Sequence, residues 1–131
     1  MQSASPITFR ERGVDEHHNR ILLVEDDPDV GPLLEHALLQ AGFKVHWVSS
    51  ASEAKELLDE RTYDLILTDV MLPDGNGLDI ADAAKARGLK ALVITGYAFQ
   101  FPKERLAQHD VLLKPIRPGE LVGAIERRLG T

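Results

Sequence analysis

Short apolar runs alternate with helical stripes from residue 21 to the end of the chain, and this alternation most constrains the fold. Ile21–Val24 and Ala91–Ile94 are continuous four-residue runs, typical of strands buried on both faces. Between Val30 and Ala41 apolar residues recur at helical spacing, and Gly42 follows as a helix-ending residue. Further strands are predicted at 44–49, 64–68 and 111–113. The complete order is five strands alternating with five helices, which predicts an α/β fold with a covered parallel sheet.

The connections between the strands narrow the topology. Right-handed crossovers and five strands favour the flavodoxin-like, doubly wound order 2-1-3-4-5, in which strands 1 and 3 are neighbours. Local signals predict a helix start at Ser50, with Glu53 completing a capping box. Turn residues predict a loop at 72–77. A short helix is predicted from Pro102 to Gln108, with the proline in its first turn.

The domain organisation follows from where these patterns begin. Residues 1–20 carry balanced charges and few large apolar side chains, so we expect a flexible N-terminal tail. Residues 21–130 are expected to form one domain, since 131 residues suit a single core and show no internal repeat.

Composition excludes several classes of function. The chain has 21 acidic against 15 basic residues, a net charge of −6, so neither a nucleic-acid partner nor an anionic membrane is expected. It has no cysteine, which removes disulfides and thiolate chemistry. No apolar segment approaches the roughly 20 residues of a membrane helix, and the N-terminus lacks a signal-peptide core. We therefore expect a cytoplasmic protein.

Polar residues gather where the predicted strands end, and they suggest a site. They are Glu25, Asp26 and Asp27 after strand 1, Asp69 after strand 3, Thr95 after strand 4 and Lys114 after strand 5. Ligands of this fold bind beyond the carboxyl ends of strands 1 and 3. Clustered carboxylates require a cation, and Mg²⁺ prefers such oxygen ligands. An aspartate can also accept a phosphoryl group, whose oxygens a lysine and a hydroxyl would bind.

These stretches together resemble the receiver domains of two-component response regulators. The resemblance covers residues 21–130 and has four motifs in order: Val24-Glu25-Asp26-Asp27, Asp69-Val70-Met71-Leu72-Pro73 with Gly75 and Gly77, Thr95-Gly96, and Lys114-Pro115. Four motifs, each at a strand end, make it specific.

The resemblance implies a role for each matching residue. Asp69 would be the phosphorylated aspartate. Glu25, Asp26, Asp69 and the main-chain carbonyl of Met71 would hold Mg²⁺. Thr95 and Lys114 would bind the phosphoryl group, and the bond between Lys114 and Pro115 would be cis. The donor would be a histidine kinase or a histidine phosphotransfer protein.

The expected output is contact with a downstream protein, from a monomer or weak dimer. Because a receiver catalyses only its own phosphorylation and dephosphorylation, we do not expect an ordinary enzyme.

One position departs from the family pattern. Receivers usually carry Tyr or Phe three residues before the lysine, where this chain has Val111. Three aromatic residues instead follow Thr95 closely, at Tyr97, Phe99 and Phe101. Thr95-Gly96-Tyr97 resembles the stand-alone regulators of the FAT GUY group, and also receivers of hybrid kinases. We hypothesise that this aromatic loop responds to phosphorylation and contacts the partner.

Other interpretations stay open at this stage. The chain could be a receiver fragment of a larger hybrid kinase or regulator, or a degenerate receiver that acts as a constitutive interaction module. Asp27-Pro28-Asp29-Val30 also resembles the nucleophile motif of haloacid-dehalogenase-like phosphatases, although those enzymes generally need a larger domain. Asp27 could equally be a helix cap. Trp47 is predicted to be a core residue.

Overall fold

The computed structural model describes residues 20–96 and 102–130. Its main strands are β1 (Arg20–Val24), β2 (Lys44–Val48), β3 (Leu65–Asp69), β6 (Lys90–Thr95) and β7 (Asp110–Leu113). Two short strands, β4 (Met71–Leu72) and β5 (Gly75–Asn76), lie between them. The helices are α1 (Val30–Gln40), α2 (Ala51–Glu60), α3 (Gly77–Ala86), α4 (Lys103–Leu106) and α5 (Pro118–Leu129). No helix in these ranges is long and apolar enough to cross a membrane.

The five main strands form one parallel sheet in the order β2-β1-β3-β6-β7. This is the predicted flavodoxin-like topology, with strands 1 and 3 adjacent and five helices around the sheet. All carboxyl ends of these strands meet at one edge, so the polar residues that follow them come together.

The sheet separates two hydrophobic clusters because successive residues of a strand point to opposite faces. Leu22 and Val24 of β1 pack with α2 and α3. Ile21 and Leu23 pack with α1 and α5. All four are completely buried, which explains why β1 is apolar at every position rather than alternating.

The predicted end of α1 and start of α2 are confirmed, although the reciprocal bond of the predicted capping box is not formed, because Glu53 Oε1 accepts from the N–H of Ser49 and the hydroxyl of Ser50 instead. Gly42 adopts a φ of +98°, its N–H donates to Leu39, and the N–H of Phe43 donates to Leu38, which together close α1 in a Schellman turn. Ser50 Oγ accepts from the N–H of Glu53 at 3.2 Å at the start of α2.

Two local predictions were partly wrong. The segment 72–77 is not entirely loop, because β4 and β5 pair in an antiparallel ladder. The helix predicted at 102–108 is only four residues long. Pro102 is extended at its N-cap with ψ 134°, and after Leu106 the hydrogen bonds change to i→i−3 turns at Gln108 and His109. Residues 1–19 and the segment 97–101, with Tyr97, Phe99 and Phe101, lie outside the described residues.

Candidate functional site

An open cleft of about 660 Å³ lies at the carboxyl edge of the sheet, over β1 and β3. It is lined by Glu25, Asp26, Asp27, Pro28, Asp69, Met71, Gly96 and Lys114. These residues come from four separate loops, and parallel strands bring the loops together. The predicted site residues Glu25, Asp26, Asp69, Met71 and Lys114 thus share one cleft.

Lys114 lies between two carboxylates. Its Nζ donates to Asp69 Oδ2 at 2.7 Å and lies 2.9 Å from Glu25 Oε1. The peptide bond that follows Lys114 is cis. Burial disfavours the charged lysine, but the hydrogen bonds and charges of Asp69 and Glu25 outweigh it, so the Lys114 pKa is raised. The lysine therefore keeps its charge beside Asp69.

Glu25 is completely buried, which is unusual for a carboxylate. Burial raises the pKa of Glu25, opposed by Lys114 and by the N–H of Asp27, while the charge of Asp69 raises it further. Glu25 Oε1 lies 2.9 Å from Lys114 Nζ, so the ammonium is its ionic partner inside the protein. Three carboxylates beside a single lysine still leave an excess of negative charge, which a cation in the cleft would offset.

The acidic residues fit a magnesium ion. One carboxylate oxygen from each of Glu25, Asp26 and Asp69 lies within 4.8 Å of the others. These residues could together hold one Mg²⁺, which binds carboxylate oxygens and completes its coordination with water. Asp69 is only 7% exposed, whereas Asp26 is exposed, so the acidic cluster is open to solvent on the side of Asp26.

The loop after β1 is held from two sides. The indole N–H of Trp47 donates to the carbonyl of Glu25 at 2.8 Å. The same ring packs on Gly31 of α1, where a Cβ would overlap the indole. Asp27 accepts from the N–H groups of Asp29 and Val30 at 2.8 and 3.4 Å, so it caps α1. Trp47 is thus a half-buried core residue that also orients the acidic loop, a role missed by the sequence analysis.

The loop after β3 is fixed by Gly77 at the start of α3 and by Asp74 between β4 and β5. The N–H of Gly77 donates to the carbonyl of Val70 at 2.7 Å, which places Gly77 against the main chain of Asp69. Asp74 accepts from the N–H groups of Ala51 and Ser52 at 2.7 and 3.0 Å. These bonds lower the Asp74 pKa and fasten the turn to the start of α2.

Two other predicted residues lie beside the cleft without lining it. Thr95 is completely buried at the end of β6, opposite Leu113 of β7, and the neighbouring Gly96 lines the cleft. Val111 is half-buried and is the register partner of Val93, which lies two residues before Thr95 on β6.

Sheet order, acidic cleft and lysine together define a receiver-type α/β domain. Residues 21–126 match the family model of the response regulator receiver domain. The chain therefore belongs to the response regulator receiver family. As a receiver it takes part in two-component signalling and is not a conventional enzyme. The match also argues against a haloacid-dehalogenase-like phosphatase, as does the use of Asp27 as a helix cap.

Individual relatives agree. The receiver protein CpdR of Brucella abortus is 37% identical over 115 residues, which are 84% of this chain and 96% of CpdR. This chain spans 53% of the length of some other curated relatives. A CheY-like receiver from Methanospirillum hungatei superposes with a TM-score of 0.76 at 28% identity, covering 86% of this chain and 94% of that one.

A magnesium-bound structure is also similar. The receiver of the sensor kinase PA1611 from Pseudomonas aeruginosa superposes with a TM-score of 0.75 at 30% identity, covering 85% of this chain and 97% of that one. In that structure a magnesium ion is coordinated in the active-site cleft. The acidic cluster of this chain is typical of such a receiver site.

Proposed function

We propose that Asp69 accepts a phosphoryl group in a two-component phosphorelay, from a histidine kinase or a histidine phosphotransfer protein. The observation that carries this proposal is the hydrogen bond of 2.7 Å between Lys114 Nζ and Asp69 Oδ2, inside an acidic cleft open to solvent. The bond orients the Asp69 carboxylate, and the Lys114 ammonium can also neutralise the negative charge of a phosphoryl group added there.

The transfer needs little beyond placement and charge. A carboxylate oxygen of Asp69 attacks phosphorus and forms a new O–P bond. The P–N bond of the donor phosphohistidine breaks, and its nitrogen keeps the electron pair; because the other ring nitrogen of the donor carries a proton, the leaving group is neutral imidazole. Because the pKa of Lys114 is raised, its ammonium stays charged and can bind an oxygen of the transferred group. Hydrolysis of the acyl phosphate returns Asp69 to its free form.

We propose that Glu25, Asp26, Asp69 and the carbonyl of Met71 hold Mg²⁺. The ion would neutralise negative charge on the transferring phosphoryl oxygens. The close spacing of the three carboxylates supports this assignment.

The proposed signal leaves through protein contacts. Thr95 and Lys114 would both bind the phosphoryl oxygens and so bias the surface formed by β6, α4, β7 and α5 between two states. Val111 offers no aromatic ring for this change. We propose that Tyr97, Phe99 and Phe101 take over that role and, with Val111, contribute to the partner surface.

This loop hypothesis has its own measurement. Amide hydrogen exchange with and without beryllofluoride should differ over residues 96–110. Unchanged exchange throughout that range would refute the role of the aromatic loop but not the phosphorylation of Asp69.

The remaining assignments follow from the same role. We propose that residues 21–130 form the receiver, preceded by a tail at 1–20, and that the protein works in the cytoplasm as a monomer or weak dimer. A receiver that belongs to a larger hybrid kinase or regulator would use the same chemistry.

The direct test is phosphorylation from acetyl phosphate or a cognate kinase. Wild type should gain one hydroxylamine-sensitive phosphoryl group per chain, and Asp69→Asn should gain none. Asp29→Asn is the matched control, because Asp29 is an exposed acid near the cleft that does not line it. Undiminished labelling of Asp69→Asn would refute the proposal. Turnover of a small phosphoester would favour the phosphatase.

A further inference from the structure

A second cavity, of about 200 Å³, lies at the amino-terminal edge of the sheet, opposite the acidic cleft. It is lined by the beginnings of β1 and β2 and by the connection from α2 to β3: Arg20, Ile21, Lys44, Val45, His46, Arg61, Thr62 and Tyr63. We propose that this cavity binds a small anion with phosphate or carboxylate oxygens.

The cavity concentrates positive charge in an acidic protein. Arg20 and Lys44 are register partners in adjacent parallel strands, so their side chains extend from the same face of the sheet. Arg61 adds a third cation from the end of α2. Neighbouring strands are only about 4.8 Å apart, so these cations add to one region of positive potential at this edge. The chain as a whole has a net charge of −6, which makes this local excess notable.

Among the described residues, the acids near this edge do not pair with the guanidiniums of Arg20 and Arg61. Asp64 faces the main chain, where its Oδ2 accepts from the N–H of Arg20 at 2.9 Å. Glu60 precedes Arg61 at the end of α2 but does not line the cavity. Over residues 20–96 and 102–130, no carboxylate lies in ion-pair distance of the Arg20 or Arg61 guanidinium.

One donor is buried without a partner. The Nε of Arg20 is inaccessible to solvent and makes no hydrogen bond to any described residue. Buried polar groups are nearly always hydrogen-bonded, so this N–H requires an acceptor. A phosphate or carboxylate oxygen is the acceptor that a guanidinium binds best, because two parallel N–H bonds can form.

The cavity also offers a hydrogen-bonded pair of polar side chains. His46 Nδ1 and the hydroxyl of Tyr63 are hydrogen-bonded at 2.7 Å. Burial raises the pKa of Tyr63, and the charges of Arg61 and Arg20 oppose that rise. The hydroxyl is therefore present as a neutral hydrogen-bonding group beside the cations.

The size selects the ligand. A volume of 200 Å³ corresponds to about seven water molecules at roughly 30 Å³ each. This volume lies below the roughly 300–1,000 Å³ of sites for drug-sized ligands, and it suits inorganic phosphate, a small phosphate ester or a small dicarboxylate. The bound anion would join β1, β2 and the connection before β3, and it shares no residue with the acidic cleft.

The experiment follows amide chemical shifts of the full-length ¹⁵N-labelled chain without Mg²⁺, titrated with inorganic phosphate and, separately, with malonate. Saturable shifts at His46, Thr62 and Tyr63 are expected for at least one anion, and the anion that saturates identifies phosphate or carboxylate as the ligand chemistry. Arg61→Gln should raise the dissociation constant about five- to tenfold, as expected for a lost charge-assisted hydrogen bond.

Arg127→Gln is the control, because it removes one exposed positive charge from α5, outside the cavity. Its dissociation constant should match wild type. Shifts that do not saturate at these amides, or equal weakening by Arg61→Gln and Arg127→Gln, would overturn the proposal in favour of diffuse attraction. A thermal midpoint that rises with the anion in wild type, and not in Arg61→Gln, would support it.

Discussion

Gly77 occupies a position where the structure admits no side chain. A Cβ there would overlap the carbonyl oxygen of Asp69, lie 2.8 Å from its carbonyl carbon and lie 2.9 Å from Thr68 Oγ1. The carbon contact alone falls about 0.7 Å short of the 3.5 Å at which carbon atoms pack well. In Gly77→Ala the start of α3 or the loop after β3 must therefore move.

The magnitude follows from three contributions. Overpacking costs about 1–3 kcal/mol. Displacing the 2.7 Å hydrogen bond from Gly77 to Val70 adds about 1 kcal/mol. The reduced entropy of the unfolded alanine chain returns about 0.4–1 kcal/mol. We expect a net loss of about 2 kcal/mol in the free energy of unfolding.

The assay is urea unfolding followed by circular dichroism. With a typical slope of about 1–3 kcal/mol per molar, the midpoint of Gly77→Ala should fall by about 1 M. Gly119→Ala is the matched control, since Gly119 is also in the first turn of a helix and no described atom lies within 4 Å of its added Cβ. Gly119→Ala should be neutral or slightly stabilising.

The same substitution should slow phosphorylation, because Thr68 Oγ1 and Gly77 both contact the carbonyl of Asp69. A displacement approaching 1 Å costs about a hundredfold in rate for a positioned nucleophile. If Gly77→Ala unfolds like Gly119→Ala and is labelled at the wild-type rate, the proposed contact between α3 and the phosphorylation loop is refuted.

Three further predictions concern the loops around the cleft. Trp47→Phe keeps an aromatic side chain but loses the indole N–H that donates to the Glu25 carbonyl, so calorimetry should find Mg²⁺ affinity about tenfold lower; unchanged affinity would contradict the positioning role. Folding lowers the Asp74 pKa, so the ionised carboxylate stabilises the fold above its ordinary pKa of 3.8, and this stabilisation is lost as the pH falls further. Asp74→Asn should therefore unfold more easily than wild type at neutral pH and equally easily at low pH. A difference in stability that persists in acid would argue otherwise. Asp82→Asn weakens the ion pair to Arg105 of α4 and the hydrogen bond with His109 just after it, so amide exchange should accelerate in α4. Overall stability should change by about 1 kcal/mol or less, and unaltered exchange in α4 would rule out this connection.

Much of the fold could be predicted because its signals are local. Continuous apolar runs such as Ile21–Val24 indicate buried strands, and Gly42 and Ser50 indicate helix ends, without any knowledge of distant contacts. The two-residue strands β4 and β5 were missed because so short a ladder has no hydrophobic alternation. The helix α4 was overestimated because Pro102 signals a start but nothing nearby signals so early an end.

The residues that line the cleft could be predicted from the sequence, but the contacts between their side chains could not. The topology alone brings Asp69 near Lys114, 45 residues away. The contact of Trp47 with the Glu25 carbonyl depends on the packing of β2 against α1, which no linear motif encodes. The cations Arg20 and Lys44 likewise become neighbours only through the register of β1 and β2.

The central claim is that Asp69 receives the phosphoryl group beside Mg²⁺. A crystal structure with Mg²⁺ and beryllofluoride tests it most directly. The account predicts beryllium bonded to a carboxylate oxygen of Asp69, fluorines contacted by Lys114 Nζ and Thr95 Oγ1, and the metal held by Asp26, Asp69 and the Met71 carbonyl with Glu25 alongside. Beryllofluoride on another residue, or a metal bound away from these carboxylates, would contradict it.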